Sequence, residues 1–353
     1  MDIKTLGIDI GKNKFHLYGV DAKGKIMLRK QLTRAKLYEF MANLTPCLVG
    51  MEACGGAHHL ARMFRGFGHD VRLMAIQHVK PYTKAYKNDF NDAAGICEAV
   101  TRPHMNFVSI KTINQQGIQA FHNDRARLVG ERTALANEIR GTLLEYGLTI
   151  PQGINNIIPI VMELLDPECD EIPSEAKELL SDFLEDFRHK EALIKKREEH
   201  LKKFAKANPQ VQQLMTIPGI GVIVATAFVG KVGDVNVFKN GRQLAAWLGL
   251  VPKQNSTGGK IQLGRISKRG DRYLRSLLVH GARSVLRSIK HKNKEDLPAP
   301  MQWLKNVAER RGHNKGIVAF ANKIARFAWA LLSSGTDYQE NYTRISSKNK
   351  LAT

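Results

Sequence analysis

Apolar residues alternate with small and polar ones at the start of the chain, TLGIDIGKNKFHLYGVDAKGKIMLRKQL, in three runs: Leu6 to Ile10, Phe15 to Val20 and Ile26 to Leu32. This patterning, with a turn at Gly24, predicts an antiparallel strand meander. CLVGMEA predicts a short buried strand ending at Glu52, GGAHHLARMFRGFG a helix closed by Gly66 and Gly68, and DVRLMAI another strand. NDFNDAAGICEAV then reads as a helix with Asn88 or Asp89 near its N-cap. A meander followed by alternating strands and helices predicts a mixed sheet with helices on its faces. From Ser174 to Ala207 the pattern changes. Leu180, Phe183, Phe187, Ile194, Leu201 and Phe204 recur at spacings of three, four and seven, the stripe of a long amphipathic helix able to pair with another. Beyond it, LMTIPGIGVIVATAFVGKVGD reads as two apolar helical segments around a Pro-Gly-Ile-Gly turn, and FKNGRQLAAWLGLVP as a helix ending before Pro252. YLRSLLVHGARSVL and GIVAFANKIARFAWALLSSG continue the helical character. The expected organisation is an α/β domain over 1–150, a helical coiled-coil or oligomerisation segment over 151–207, a mostly α domain over 208–340 and a tail over 341–353.

Composition makes this an ordinary folded chain: 353 residues, 43% hydrophobic and 25% charged. No apolar run approaches the roughly 20 residues of a membrane span. The start, MDIKTLGIDIG, lacks the basic and long apolar regions of a signal peptide, so a cytoplasmic, nucleoid-associated protein is expected. Cys47, Cys54, Cys97 and Cys169 lack the close pairing of zinc sites and are expected to be buried, reduced thiols. Charge changes the picture more. Of the net +21, +17 lies in 208–353, and from Lys253 to Lys294 there are 12 basic residues against one acidic residue, Asp271. Such a density attracts polyphosphate through counterion release, which makes nucleic acid the natural partner.

Four carboxylates then stand out: Asp9 inside the first strand, Glu52 at the end of a later one, and Asp89 with Asp92 on one helix face. A carboxylate within LGIDIG is costly unless a cation meets it. Mg²⁺ or Mn²⁺ suits an all-oxygen set, and two such ions about 4 Å apart can serve phosphodiester chemistry. Together the four fit an RNase H-like metal site. A second constellation, VPKQNSTGGKIQLGRISKRGDRYLR, sets Ser256 and Thr257 before two glycines and among Lys253, Lys260, Arg265, Lys268, Arg269, Arg272 and Arg275. Gly219 and Gly221 in the Pro-Gly-Ile-Gly turn are further candidates, because helix-hairpin-helix turns offer backbone N–H groups to phosphate.

These motifs, GIDIG, GMEACGG, KNDFND, IPGIG, AAWLGLVPKQNSTGGK and GRISKRGDRYLRSLL, taken in order, resemble the DEDD transposases of insertion sequences. NSTGGKIQLGRISKRGD is similar to the subgroup with subterminal inverted repeats. The resemblance covers nearly the whole chain and implies a RuvC-like, RNase H-type domain whose acidic tetrad, here Asp9, Glu52, Asp89 and Asp92, binds Mg²⁺. It also implies a C-terminal serine that links covalently to DNA, a noncoding bridge or seek RNA that pairs with donor and target DNA, and a dimeric or tetrameric synapse. The family's serine falls, by ungapped counting, at Thr257, with Ser256 just before it; the less hindered primary hydroxyl favours Ser256. Two other readings are weighed: a junction-resolving nuclease that uses water as nucleophile, and a non-enzymatic nucleic-acid-binding protein.

Overall fold

In a computed structural model the protein is described over residues 2–83 and 88–339. The expected tail, 341–353, lies outside the described residues. By compactness the chain divides into Met1–Ile113 with Val232–Val237, and Asn114–Lys231 with Phe238–Thr353.

The first unit is built on the meander. β1 (Thr5–Ile10), β2 (Lys14–Val20) and β3 (Ile26–Thr33) pair antiparallel in sequence order. α1 (Arg34–Asn43) returns the chain to β4 (Leu48–Glu52), and α2 (Ala57–Gly66) to β5 (Asp70–Met74); β1, β4 and β5 run parallel. After α3 (Ile76–Val79) and α4 (Asp89–Ala99), the short β6 (Phe107–Val108) closes an order of β3-β2-β1-β4-β5-β6. Strand alternation divides the faces. Leu6, Ile8, Phe15, Leu17, Val49 and Met51 join Leu37, Met41, Leu60 and Phe64 of α1 and α2 in one core. Gly7 and Gly50 occupy the opposite face, where α4 lies against them.

The second unit is helical. α5 (Ile113–Leu144), α6 (Ile157–Leu164) and α7 (Ser174–Ala207) share a core of Leu135, Ile139, Leu143, Val161, Leu180, Leu184 and Phe187. α5 and α7 run antiparallel, tied by Arg125–Glu198 (2.6 Å), Arg132–Glu191 (3.2 Å) and Arg197–Asp124 (2.7 Å). The partner of the amphipathic stripe is thus a helix of the same chain, and Phe183 and Phe204 on that stripe are only half-buried. Next come α8 (Pro209–Met215), α9 (Val222–Val232) and α10 (Gly241–Trp247), then two short strands, β7 (Pro252–Gln254) and β8 (Leu263–Ile266). α11 (Arg272–Ser288), α12 (Ala299–Arg311) and α13 (His313–Ser334) follow, with α13 packed against α8, α10, α11 and α12. All four cysteines are free thiols; the expectation of burial holds at Cys47 and Cys97 and fails at Cys169, which is half-buried, and at Cys54, which is exposed in the loop after Glu52. Among the described residues no helix is long and apolar enough to cross a membrane.

Candidate active site

The acidic cluster is assembled by two glycines. A Cβ on Gly7 would stand 2.2 Å from the Ala93 carbonyl oxygen, and one on Gly50 would stand 2.8 Å from Val100 Cβ. Only hydrogen at these positions lets α4 lie directly on β1 and β4. Two residues on, on the same strand face, come Asp9 and Glu52. The strands are parallel with Ile8 opposite Met51, so the carboxylates follow side by side at the two strand ends. α4 brings Asp89 and Asp92 in its first turn, after Asn88 caps the helix by accepting from Phe90 N at 2.9 Å. Anions at a helix N-terminus also gain from its dipole.

This placement acts on the charges of the carboxylates. Burial raises the Asp9 pKa above the usual carboxylate range, the charges of Asp92 and Asp89 raise it further, and His16 opposes them. Glu52 is likewise raised, first by burial and then by Asp9 and Asp92. Carboxylates that destabilise one another's charge form a set that a divalent cation relieves. Among the described residues no three His, Cys, Asp or Glu side chains are already gathered tightly enough to enclose an ion. The donor chemistry, four oxygen-bearing groups and mutual repulsion, fits a hard cation.

The basic stretch folds as a hairpin. Pro252 pairs with Ile266 and Gln254 with Leu263. At its tip Lys260 N donates to Thr257 O at 3.1 Å across Gly258 (φ 57°) and Gly259 (φ 77°). Two successive positive φ values are what a tight two-residue hairpin turn requires, hence the glycine pair. Ser256 Oγ accepts from Gln254 Nε2 at 2.9 Å. Ser256, Thr257, Lys253, Lys260, Arg265, Lys268, Arg269 and Arg272 are all exposed. None of these six cations forms an ion pair among the described residues.

Arg275 differs and corrects the sequence reading. It is buried and donates through Nη1 to Leu248 O (3.1 Å) and Arg269 O (2.8 Å), so its guanidinium joins the two ends of the hairpin instead of facing an external phosphate. The same base is tightened by Gly249 and Gly270, where a Cβ would approach Arg269 O to 2.2 Å and Trp247 O to 1.9 Å. Asp271 caps α11 by accepting from Leu274 N (2.7 Å) and pairs with Lys231 of α9 (2.9 Å). Behind it runs a buried chain that sequence reasoning missed. Tyr273 OH lies 3.1 Å from His122 Nδ1, His122 Nε2 lies 2.9 Å from Thr226 Oγ1, and that hydroxyl donates to Val222 O at 2.7 Å. Thr226 spends its proton on Val222, so His122 donates from Nε2 and accepts from Tyr273. Burial, and then Arg125 and Lys231, lower its pKa to about 4 and keep it neutral.

The Pro-Gly-Ile-Gly turn does join α8 to α9. Gly219 (φ 90°) backs onto Gly281 of α11, whose added Cβ would stand 2.0 Å from Gly219 O. Close packing therefore accounts for Gly219 without a phosphate, whereas Gly221 faces open space.

Comparison with known proteins agrees with both halves. A family profile described as the transposase IS116/IS110/IS902 family matches residues 211–296, and a DEDD transposase profile of the IS110 group matches 6–148. The chain is 45% identical over 340 residues to a probable family 20 transposase of Pseudomonas aeruginosa, covering 96% of this chain and 99% of that one. It is also 45% identical over 339 residues to the transposase for insertion sequence element IS1111A of Coxiella burnetii, covering 96% and 92%. With the transposase for insertion sequence element IS1328 of Yersinia enterocolitica it shares 39% identity over 339 residues, covering 96% and 99%. The chain belongs to the IS110 family of transposases, enzymes that recombine DNA.

Proposed function

We propose that this transposase cuts and rejoins DNA through a covalent phosphoserine link, using an acidic metal site on an RNase H-like domain and a hydroxyl on the basic hairpin. The observation that carries the reading is the placement of Asp9 and Glu52 near the ends of the neighbouring parallel strands β1 and β4, and of Asp89 and Asp92 in the first turn of α4, the helix that lies on those strands. The strand order β3-β2-β1-β4-β5, antiparallel and then parallel, supports the RNase H-like assignment. Domains at 1–150, 151–207 and 208–340 remain the functional partition of this reading.

The four carboxylates would hold Mg²⁺ or Mn²⁺, which when bound supplies positive charge against the oxygens of the reacting phosphate. The chain's residues do the rest. The nucleophilic hydroxyl, Ser256 by preference and Thr257 otherwise, gives up its proton as its oxygen bonds to phosphorus. One bridging P–O bond breaks, and the departing deoxyribose oxygen takes a proton. Attack on phosphorus by the deoxyribose hydroxyl of another strand reverses the sequence and frees the side chain. One phosphate ester replaces another at each step, so no nucleotide hydrolysis is required. Lys260 and Arg265 would neutralise the phosphate and hold it at the turn. A noncoding guide RNA would supply sequence choice by pairing with donor and target DNA, and a dimer or tetramer would hold the two duplexes. The +17 charge of 208–353 supports a large polyanionic partner.

The test is adduct trapping on DNA with Ser256→Ala and Thr257→Ala proteins. Loss in Ser256→Ala and retention in Thr257→Ala is expected, and survival in Ser256→Ala transfers the role to Thr257. Free ends without adduct in the wild type would instead indicate a water-using nuclease. Sequencing of RNA copurified with the protein tests the guide: one stable species is expected, and a random mixture removes this part of the reading.

A further inference from the structure

His16 belongs to no motif identified above, yet it stands where the acidic cluster is tied together. The sheet register places Asp9 opposite His16 and His16 opposite Gln31, one row across three antiparallel strands. Directly opposed residues share a face, here the face that carries α4. The ring is almost fully buried. Phe90 of α4 meets it edge-on, with centroids 4.8 Å apart at 76°, and Arg29 covers Phe90 at 4.6 Å. His16 Nδ1 faces two members of the cluster, Asp89 Oδ2 at 3.5 Å and Asp9 Oδ2 at 3.9 Å. Its other nitrogen, Nε2, lies 3.0 Å from Gln31 Nε2.

We infer that His16 is a positioning residue for the metal site, a donor held in one tautomer by Gln31 that aligns Asp9 of the strand with Asp89 of the helix. An amide nitrogen can only donate, so the Gln31 contact requires a lone pair on His16 Nε2. The ring proton is then on Nδ1, the nitrogen that faces both carboxylates. Asp89 needs such a tether more than Asp9 does, since its side chain is 62% exposed and that of Asp9 only 26%. Without the tether, repulsion favours rotation of Asp89 into solvent and away from the cation. Groups that orient metal-binding side chains commonly change metal affinity by about 10- to 100-fold when removed.

This inference rests on the metal-site reading, and direct Mn²⁺ binding to the purified full-length protein without nucleic acid separates the two. Free Mn²⁺ is followed by electron paramagnetic resonance. His16→Phe keeps the ring against Phe90 but removes the donor, and is expected to weaken binding about tenfold. His16→Asn restores an N–H near the Nδ1 position and is expected to stay within about twofold of wild type. Gln31→Leu, which touches no carboxylate, is expected to weaken binding by less than His16→Phe and provides the measurement if that protein does not fold. Asp9→Asn is expected to lose the site. Wild-type affinity in His16→Phe, or in Gln31→Leu, overturns the inference while a weakened Asp9→Asn leaves the metal site standing. Equal weakening in His16→Asn and His16→Phe also overturns it, because ring shape and not the N–H would then matter. Wild-type affinity in Asp9→Asn would sink the metal site itself.

Discussion

The acidic cluster and the basic hairpin each collect charge of one sign, and they do so by opposite means. The cluster draws on residues from Asp9 to Asp92 and depends on long-range packing: two glycines seat a helix on a sheet and crowd like charges in a partly buried place. The hairpin draws on one continuous stretch, leaves its cations exposed, and is held at its base by Arg275, Gly249 and Gly270. Sites of the first kind store electrostatic tension that a cation discharges. The second kind offers an open surface to a polyanion and depends on local geometry. The contrast predicts that mutations in the cluster act on chemistry while those in the hairpin act on placement and grip.

The largest effect that would break this comparison comes from Glu52→Gln, nearly isosteric and without charge. It is expected to lower strand exchange by on the order of a thousandfold while DNA binding and thermal unfolding stay near wild type. A comparable loss of DNA binding in a filter or fluorescence assay would mean that the cluster also serves grip. Next is Arg275→Ala, which leaves Leu248 O and Arg269 O unpaired at the hairpin base. Its cost is expected to be about 3 kcal/mol in chemical unfolding, with new tryptic cleavage between Lys253 and Arg265. Arg275→Lys should be intermediate, because its ammonium falls one bond short of Nη1, the nitrogen that makes both contacts. Cleavage unchanged from wild type in both would show that the strands stand without their clamp. The smallest effect comes from Lys260→Ala and Arg265→Ala. Each is expected to weaken DNA binding severalfold and lower the slope of log affinity against log salt by about 1. An unaltered slope would remove that cation from the contact surface.

Legibility in the sequence follows the same division. The meander, the strand ending at Glu52 and the Asn88 cap were readable because alternation and capping are local. That Gly7 and Gly50 serve a helix arriving from residue 89 onward was not readable, since a glycine in a strand does not announce its neighbour. α5 escaped for another reason. Gly117, Gly130 and Gly141 stand on its exposed side, each costing up to about 1 kcal/mol relative to alanine, and pairing with α7 overrides that penalty. Ser256 to Lys260 read as a loop because a hairpin exposed on both faces has no buried alternation to display. Arg275 read as one more cation of a basic run, and only its burial beneath the hairpin distinguishes it. His16 gave no motif at all, because its importance lies in a row across three strands.

The Gln254–Ser256 hydrogen bond has a geometric corollary. Residues two apart on an extended strand share a side, and adjacent residues do not. Gln254 and Ser256 therefore look one way from the hairpin, and Thr257 looks the other. Selecting between the two hydroxyls is thus a selection of handedness: a phosphate presented to one must pass to the reverse side of the ribbon to reach the other. Whichever residue bonds to DNA thereby reports from which side the nucleic acid approaches.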